Sequence, residues 1–186
     1  MIKANPTSRI QIQLYADHIR KCIGYKNKLY FPILKFLEIV LPTLIPNFNY
    51  EILSKEEMGN KHGETRPDLD LIQIREDVYS GACIGNGRDR MTIAHEIGHL
   101  LMHSKLNISL CRVENGIEEK PKIYEDPEWQ ADVFTGELLA PSYLIRDMSP
   151  EEVSKDANIS LAAARTQLRH LPINHSQNPH ERRRCL

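Results

Sequence analysis

The sequence predicts an α+β fold, and three observations carry that prediction. Apolar residues recur at helical spacing before about residue 45, short β-branched segments broken by Gly, Pro and Asp fill the middle, and helical spacing returns from about residue 89. With 186 residues, 41% of them apolar, the chain can bury one good core with a small appended module, but is too short for two full domains.

From Arg9 to Cys22 the residues Ile10, Ile12, Leu14, Tyr15 and Ile19 give a helical pattern, which GYKNK ends. Pro32 opens a second helix in which Ile33, Leu34, Leu37, Val40, Leu41 and Leu44 recur at steps of three and four, and Pro42 ends or bends it. The segments NYEILSK, LDLIQIRED and VYSGACIG read as two or three strands. A helix from about 89 to 103 follows NGRDR, then an irregular stretch to Asp126, a helix over about 127 to 140, and Pro141 as a stop. Ser149 and Pro150 start another helix, Asn158 suits a left-handed turn, and Ser160 caps a last helix. The expected organisation is a main domain over 1–148, a helix-turn-helix-like segment over 149–172 packed on it, and a basic, mobile tail over 173–186.

A formal net charge of -1 argues against a nucleic-acid protein that works by bulk electrostatics. Cys22, Cys83, Cys111 and Cys185 form no CxxC pair, which suits free thiols in a reducing cytosol and argues against a cysteine metal site. The N-terminus has no apolar signal region, and the greasiest stretch, FPILKFLEIVLPTLIP, is broken by Lys35, Glu38 and proline. A soluble, cytoplasmic protein with no membrane partner is expected.

The chemistry lies in RMTIAHEIGHLLMH, residues 90–103. At 100° per residue Ile93, Ile97, Leu100 and Leu101 share an apolar stripe, while His95, Glu96, His99 and His103 share the opposite side. Histidines four apart stand roughly 6 Å from each other along the axis, so both imidazoles can converge on one tetrahedral ion. Glu96 cannot easily join the same shell, but its carboxylate can reach a water in the open position and take its proton, as in HExxH zinc peptidases.

Two histidines hold zinc weakly, so a third ligand is required. His103 lies about 9 Å along the axis from the midpoint of the pair, too far for the same ion, which leaves it an outer or an ordinary polar role. The other candidate is Glu128 in EDPEWQADVFTGELLAP. A helix starting near Pro127 puts Glu128, Ala131, Asp132, Thr135, Gly136 and Leu139 on one face, mostly small, and Gly98 is small in the same useful way if the two helices cross near the metal. Glu128 would then supply a carboxylate ligand and Asp132 would accept from the far nitrogen of a liganding histidine.

GNGRDRMTIAHEIGHLLMH followed by EWQADVFTGELLAP resembles the ImmA/IrrE family of zinc metallopeptidases. Arg90 matches the family's arginine before HExxH, and Glu128, Ala131, Asp132, Phe134, Leu138, Leu139 and Pro141 match its second helix; Thr135 and Gly136 depart from it without touching the chemistry. IQIREDVYSGA resembles the strand pair that family members place before the active-site helix. The likeness runs from about residue 50 to 145, with the tail helices matching loosely.

The resemblance implies a zincin-like domain in which His95, His99 and Glu128 hold one Zn2+ per chain and Glu96 is the general base. It also implies a protein substrate, a helix-turn-helix transcriptional repressor of a mobile element or stress regulon, cut to relieve repression. Residues 104–126, with Gly116 and Pro121, are expected to form the rim that meets this partner. Tyr79, Tyr124 and His103 are candidates for stabilising the oxyanion. The tail carries Lys155, Arg165, Arg169, Arg182, Arg183 and Arg184 against Glu151, Glu152, Asp156 and Glu181, and its second helix is mostly Leu and Ala, so packing on the body is favoured over DNA contact. The competing function is a zinc-stabilised regulatory module that binds a partner protein or DNA without proteolysis.

Overall fold

The structure is a computed structural model that describes residues 3–103 and 122–171. The expected tail over 173–186 and most of the expected rim, residues 104–121, lie outside the described residues.

Helix α1 (Arg9–Cys22) starts at Ser8, whose hydroxyl accepts from the Gln11 amide while the Gln11 side chain accepts from the Ser8 amide, a reciprocal cap. Its buried face, Ile12, Ala16 and Ile19, follows the helical period. Arg20 is fully buried beyond that face and donates to the carbonyls of Leu138, Tyr25 and Lys28, closing the end of a later helix and the turn after α1.

The second helical run is three pieces: α2 (Ile33–Lys35), a π turn (Phe36–Val40) and α3 (Leu41–Leu44). The wide turn lies just before Pro42, whose missing N–H and bulky ring break the regular ladder. It also shifts the buried face: Phe36 is inside with Ile33, Leu37 and Leu41, whereas Leu44, expected in the core, is exposed.

Strands β1 (Asn49–Leu53), β2 (Gly63–Arg66) and β3 (Leu71–Arg75) form one sheet in the order β1-β3-β2. β1 runs parallel to β3 and β2 antiparallel to it, so the fully buried Ile72 and Ile74 sit on the central strand and, among the described residues, β2 is an edge. A short helix, α4 (Lys55–Met58), capped by Ser54, lies between β1 and β2.

Two expectations need correction here. VYSGACIG is not a strand: residues 78–83 belong to α5 (Glu76–Cys83) and Ile84 and Gly85 form the turn after it, so IQIREDVYSGA is one strand followed by a helix. Glu76 and Asp77 occupy the first turn, where the helix dipole favours acids, and Val78 and Ala82, four apart, are its buried face. The third strand is instead β2, whose sequence GETR has no apolar alternation because it is short and lies at an edge.

Helix α6 (Gly87–Met102) is capped by Asn86, whose side-chain oxygen accepts from the Arg88 and Asp89 amides. It buries Ile93, Ala94, Ile97 and Leu100. A 3-10 turn (Ile123–Glu125) leads to α7 (Pro127–Leu139), with Asp126 as cap and Pro127 at the first position. The chain then forms α8 (Ser142–Ile145), α9 (Pro150–Ala157) and α10 (Leu161–Arg169). Ser149 caps α9, Asn158 is left-handed at φ 53°, and Ser160 caps α10, each as its residue type predicts.

Arg90 ties these parts together. It is 2% exposed and donates to the carbonyls of Asn158 (2.9 Å) and Phe31 (2.8 Å) and to the Tyr30 hydroxyl (3.1 Å). Among the described residues, no helix is long and apolar enough to cross a membrane, and Cys22 and Cys83 are free thiols.

Candidate metal centre

α6 and α7 cross where both are narrow. A Cβ on Gly98 would stand 3.1 Å from Phe134 Cδ1 and 3.4 Å from the Ala131 Cα, so glycine and alanine set the approach that faces His95 and His99 toward Glu128.

The donor atoms of these three residues converge. His95 Nε2 lies 3.0 Å from His99 Nε2 and 3.2 Å from Glu128 Oε2, and His99 Nε2 lies 3.4 Å from Glu128 Oε1. A tetrahedral ion with ligands at 2.0–2.1 Å needs donors about 3.3 Å apart, so the spacing fits zinc and the two-nitrogen, one-carboxylate set is one zinc uses in catalytic sites. Two imidazole nitrogens and a carboxylate turned toward one point are also the arrangement a cation stabilises.

The far nitrogens are occupied as well. His95 Nδ1 lies 3.1 Å from Asp132 Oδ1, and His99 Nδ1 lies 3.1 Å from His103 Nδ1. Burial works against the charged His95 imidazole, but the hydrogen bond and charge of Asp132, joined by Glu96 and Glu128, outweigh it and raise the pKa. Burial and then the charge of His95 hold the His99 pKa down to about 4, so its imidazole is neutral at neutral pH.

Glu96 points to the same cavity but not to the donor cluster. Its carboxylate packs on the edge strand: the Thr65 hydroxyl reaches Oε2 at 2.6 Å, and a Cβ on Gly63 would stand 2.7 Å from Glu96 Cγ and 2.9 Å from Oε1. Burial raises the Glu96 pKa against the opposing hydrogen bond from Thr65, which makes the carboxylate a better proton acceptor. The cavity, about 430 Å³, is lined by the histidines, Glu96, Glu128 and the β2 residues Gly63, Glu64 and Thr65. Lys61 pairs with Glu64 at 2.7 Å on its rim.

Of the oxyanion candidates, Tyr79 donates instead to Glu38 at 2.6 Å, and neither it nor Tyr124 lines the cavity. His103 lines it but is 4% exposed and held between His99 and Gln130. Arg90, matched in the sequence to the arginine before HExxH, is part of the scaffold and not of the cavity. Gly63, Thr65 and Gln130 were not anticipated from the sequence. A glycine inside a short strand is a weak signal of close approach; Thr65 and Gln130 carry no local signal at all.

The sequence matches the family described as Peptidase_M78, IrrE N-terminal-like domain, over residues 53–170, more than half of the chain. Comparison with curated proteins and with solved structures gives no significant match.

Proposed function

The chain belongs to the IrrE N-terminal-like peptidase family, and from that premise we propose that it is a zinc-dependent endopeptidase, with His95, His99 and Glu128 holding one zinc ion and Glu96 acting as general base. The observation that carries the reading is the convergence of three donors of the zinc set beside a buried carboxylate that is not one of them.

When bound, zinc supplies a Lewis acid that polarises the scissile carbonyl. Glu96 takes the proton of the attacking water at Oε1, since Oε2 is engaged by Thr65, and returns it to the leaving amine. Gly63 and Thr65 hold that carboxylate on the edge strand, and Asp132 holds the His95 ring through Nδ1. Among the described residues no strand pairs with the outer edge of β2, which runs along the cavity, so an extended substrate segment can add to it by strand pairing. A cavity of about 430 Å³ suits such a segment and is far too small for a folded domain, so the cut falls in a loop or linker of the substrate.

The likeness to ImmA/IrrE proteins supports a helix-turn-helix transcriptional repressor as that substrate, within a mobile-element or stress circuit in the cytoplasm, where cleavage relieves repression. We read residues 149–172 as a helix-turn-helix-like segment packed on the 1–148 body, not as a DNA reader. The turn that would present α10 to a groove is seated on α6, where a Cβ on Gly87 would come within 2.7 Å of the Ile159 Cα and the Ser160 amide.

The test is co-expression with the small repressor encoded nearest to this gene, followed by mass spectrometry of the repressor. The reading expects two fragments meeting at one peptide bond outside the folded repressor domain. An intact repressor whose regulated genes are nevertheless switched on would overturn it in favour of a module that acts by binding.

A further inference from the structure

We propose that Gln130 is a positioning residue that, through His103, sets the tautomer of His99 and so keeps His99 Nε2 free to bind metal. The proposal rests on the metal-centre reading above and extends it to two residues outside the ligand set.

The chain of hydrogen bonds has a single solution at its Gln130 end. The Gln130 amide nitrogen donates to two backbone carbonyls, Asn5 and Tyr124, both at 2.8 Å. Turning the amide over would set its oxygen against two carbonyl oxygens, so the orientation is fixed. Oε1 therefore faces His103 Nε2, at 3.1 Å, and an amide oxygen only accepts. The His103 proton must sit on Nε2. Gln130 is 1% and His103 4% exposed, so no solvent offers either an alternative partner.

A neutral imidazole protonated on Nε2 has an accepting Nδ1. The partner of that atom is His99 Nδ1, at 3.1 Å, which must then donate. His99 is left with its lone pair on Nε2, the atom that lies 3.0 Å from His95 Nε2 and 3.4 Å from Glu128 Oε1. The opposite polarity would put a proton on His99 Nε2 and close that position. Asp132 does the same for His95 through one direct contact. For His99 the fixed point is two residues away, and is itself held by backbone from the N-terminal segment and from the 3-10 turn.

The experiment is nitrogen-15 NMR of the histidine side chains in the metal-free and the zinc-loaded protein, with zinc affinity measured by chelator competition. His99 should carry its proton on Nδ1 and His103 on Nε2 in both states. In His103→Gln the side-chain oxygen can still accept from His99 and the amide can still donate to Gln130, so zinc affinity should stay close to that of the parent. His103→Leu fills similar space but carries neither group, and affinity should fall about tenfold to a hundredfold. Gln130→Met should leave the His103 and His99 tautomers mixed.

His99 protonated on Nε2 in the metal-free parent would overturn the proposal, and so would a His103→Leu protein that binds zinc as tightly as His103→Gln. Should His103→Leu fail to fold, the tautomers of the parent decide alone. A parent with the stated tautomers that binds no zinc would overturn the metal-centre reading while leaving the hydrogen-bond chain in place.

Discussion

The Thr65 hydroxyl oxygen lies 2.6 Å from Oε2 of Glu96 and 2.9 Å from the carbonyl oxygen of the same residue. With one proton to give, it donates to the carboxylate when Glu96 is charged. Once Glu96 holds a proton, the hydroxyl can accept from it and turn its own proton to the backbone carbonyl. Removing the hydroxyl should therefore slow proton transfer without disturbing the metal. Thr65→Val is expected to lower turnover by about tenfold, less than the roughly 10²–10⁴-fold that a general base itself contributes, and Thr65→Ser to restore most of it. Equal zinc content with steady-state kinetics checks this; a Thr65→Val enzyme as fast as the parent would show that Glu96 needs no such partner.

Gly63 gives Glu96 its room. A methyl at this position would stand 2.7 Å from Glu96 Cγ and 3.0 Å from Cδ, so the carboxylate of Gly63→Ala must swing away while the ligand cluster stays put. A displacement on the order of 1 Å at a reacting group costs about 10²-fold. Turnover should fall by that order with zinc affinity retained, and joint loss of both would mean that β2 itself has moved.

At the other end of α6, Gly87→Ala would press a Cβ to 2.5 Å from the backbone carbon of Ile159, which has no rotamer to yield. Overpacking of this kind costs about 1–3 kcal/mol. For a chain of this size that is a fall in melting temperature of about 2–12 °C, and hydrogen exchange should rise over α9 and α10 ahead of α1. Unchanged exchange there would remove the seat assigned to the α9–α10 turn.

How much of this was legible in the sequence depends on the reach of each signal. Ser149 and Ser160 accept from backbone amides three residues on, and Asn158 makes the left-handed turn with its own backbone, so residue type alone announces these caps and this turn. The convergence of His95, His99 and Glu128 was legible because helical spacing fixes the pair and small residues on both helices permit the crossing that brings in the third. β2 was not, because an edge strand of four residues needs no apolar alternation, and α5 was mistaken for a strand because Val78 weighs more locally than the acids that start the helix. Thr65 and Gln130 act across 31 and 27 residues of chain, on Glu96 and His103, and no local pattern encodes such partners.

Asp132 tests the outer support of the other histidine. Its Oδ1 lies 3.1 Å from His95 Nδ1, and Asp132→Asn keeps an oxygen there but removes the charge. Zinc affinity or turnover should fall about tenfold to a hundredfold, less than for Glu128→Ala, which removes a proposed ligand. Unchanged values would reduce Asp132 to an exposed helical carboxylate.

The most direct test of the account is Glu96→Gln, assayed for zinc and for repressor cleavage in the same preparation. Glutamine keeps the shape and can still meet Thr65, but cannot take a proton from water. The account predicts about one zinc per chain, as in the parent, with cleavage lower by at least about 10²-fold and the intact repressor still bound. A Glu96→Gln protein that cleaves as fast as the parent would contradict it.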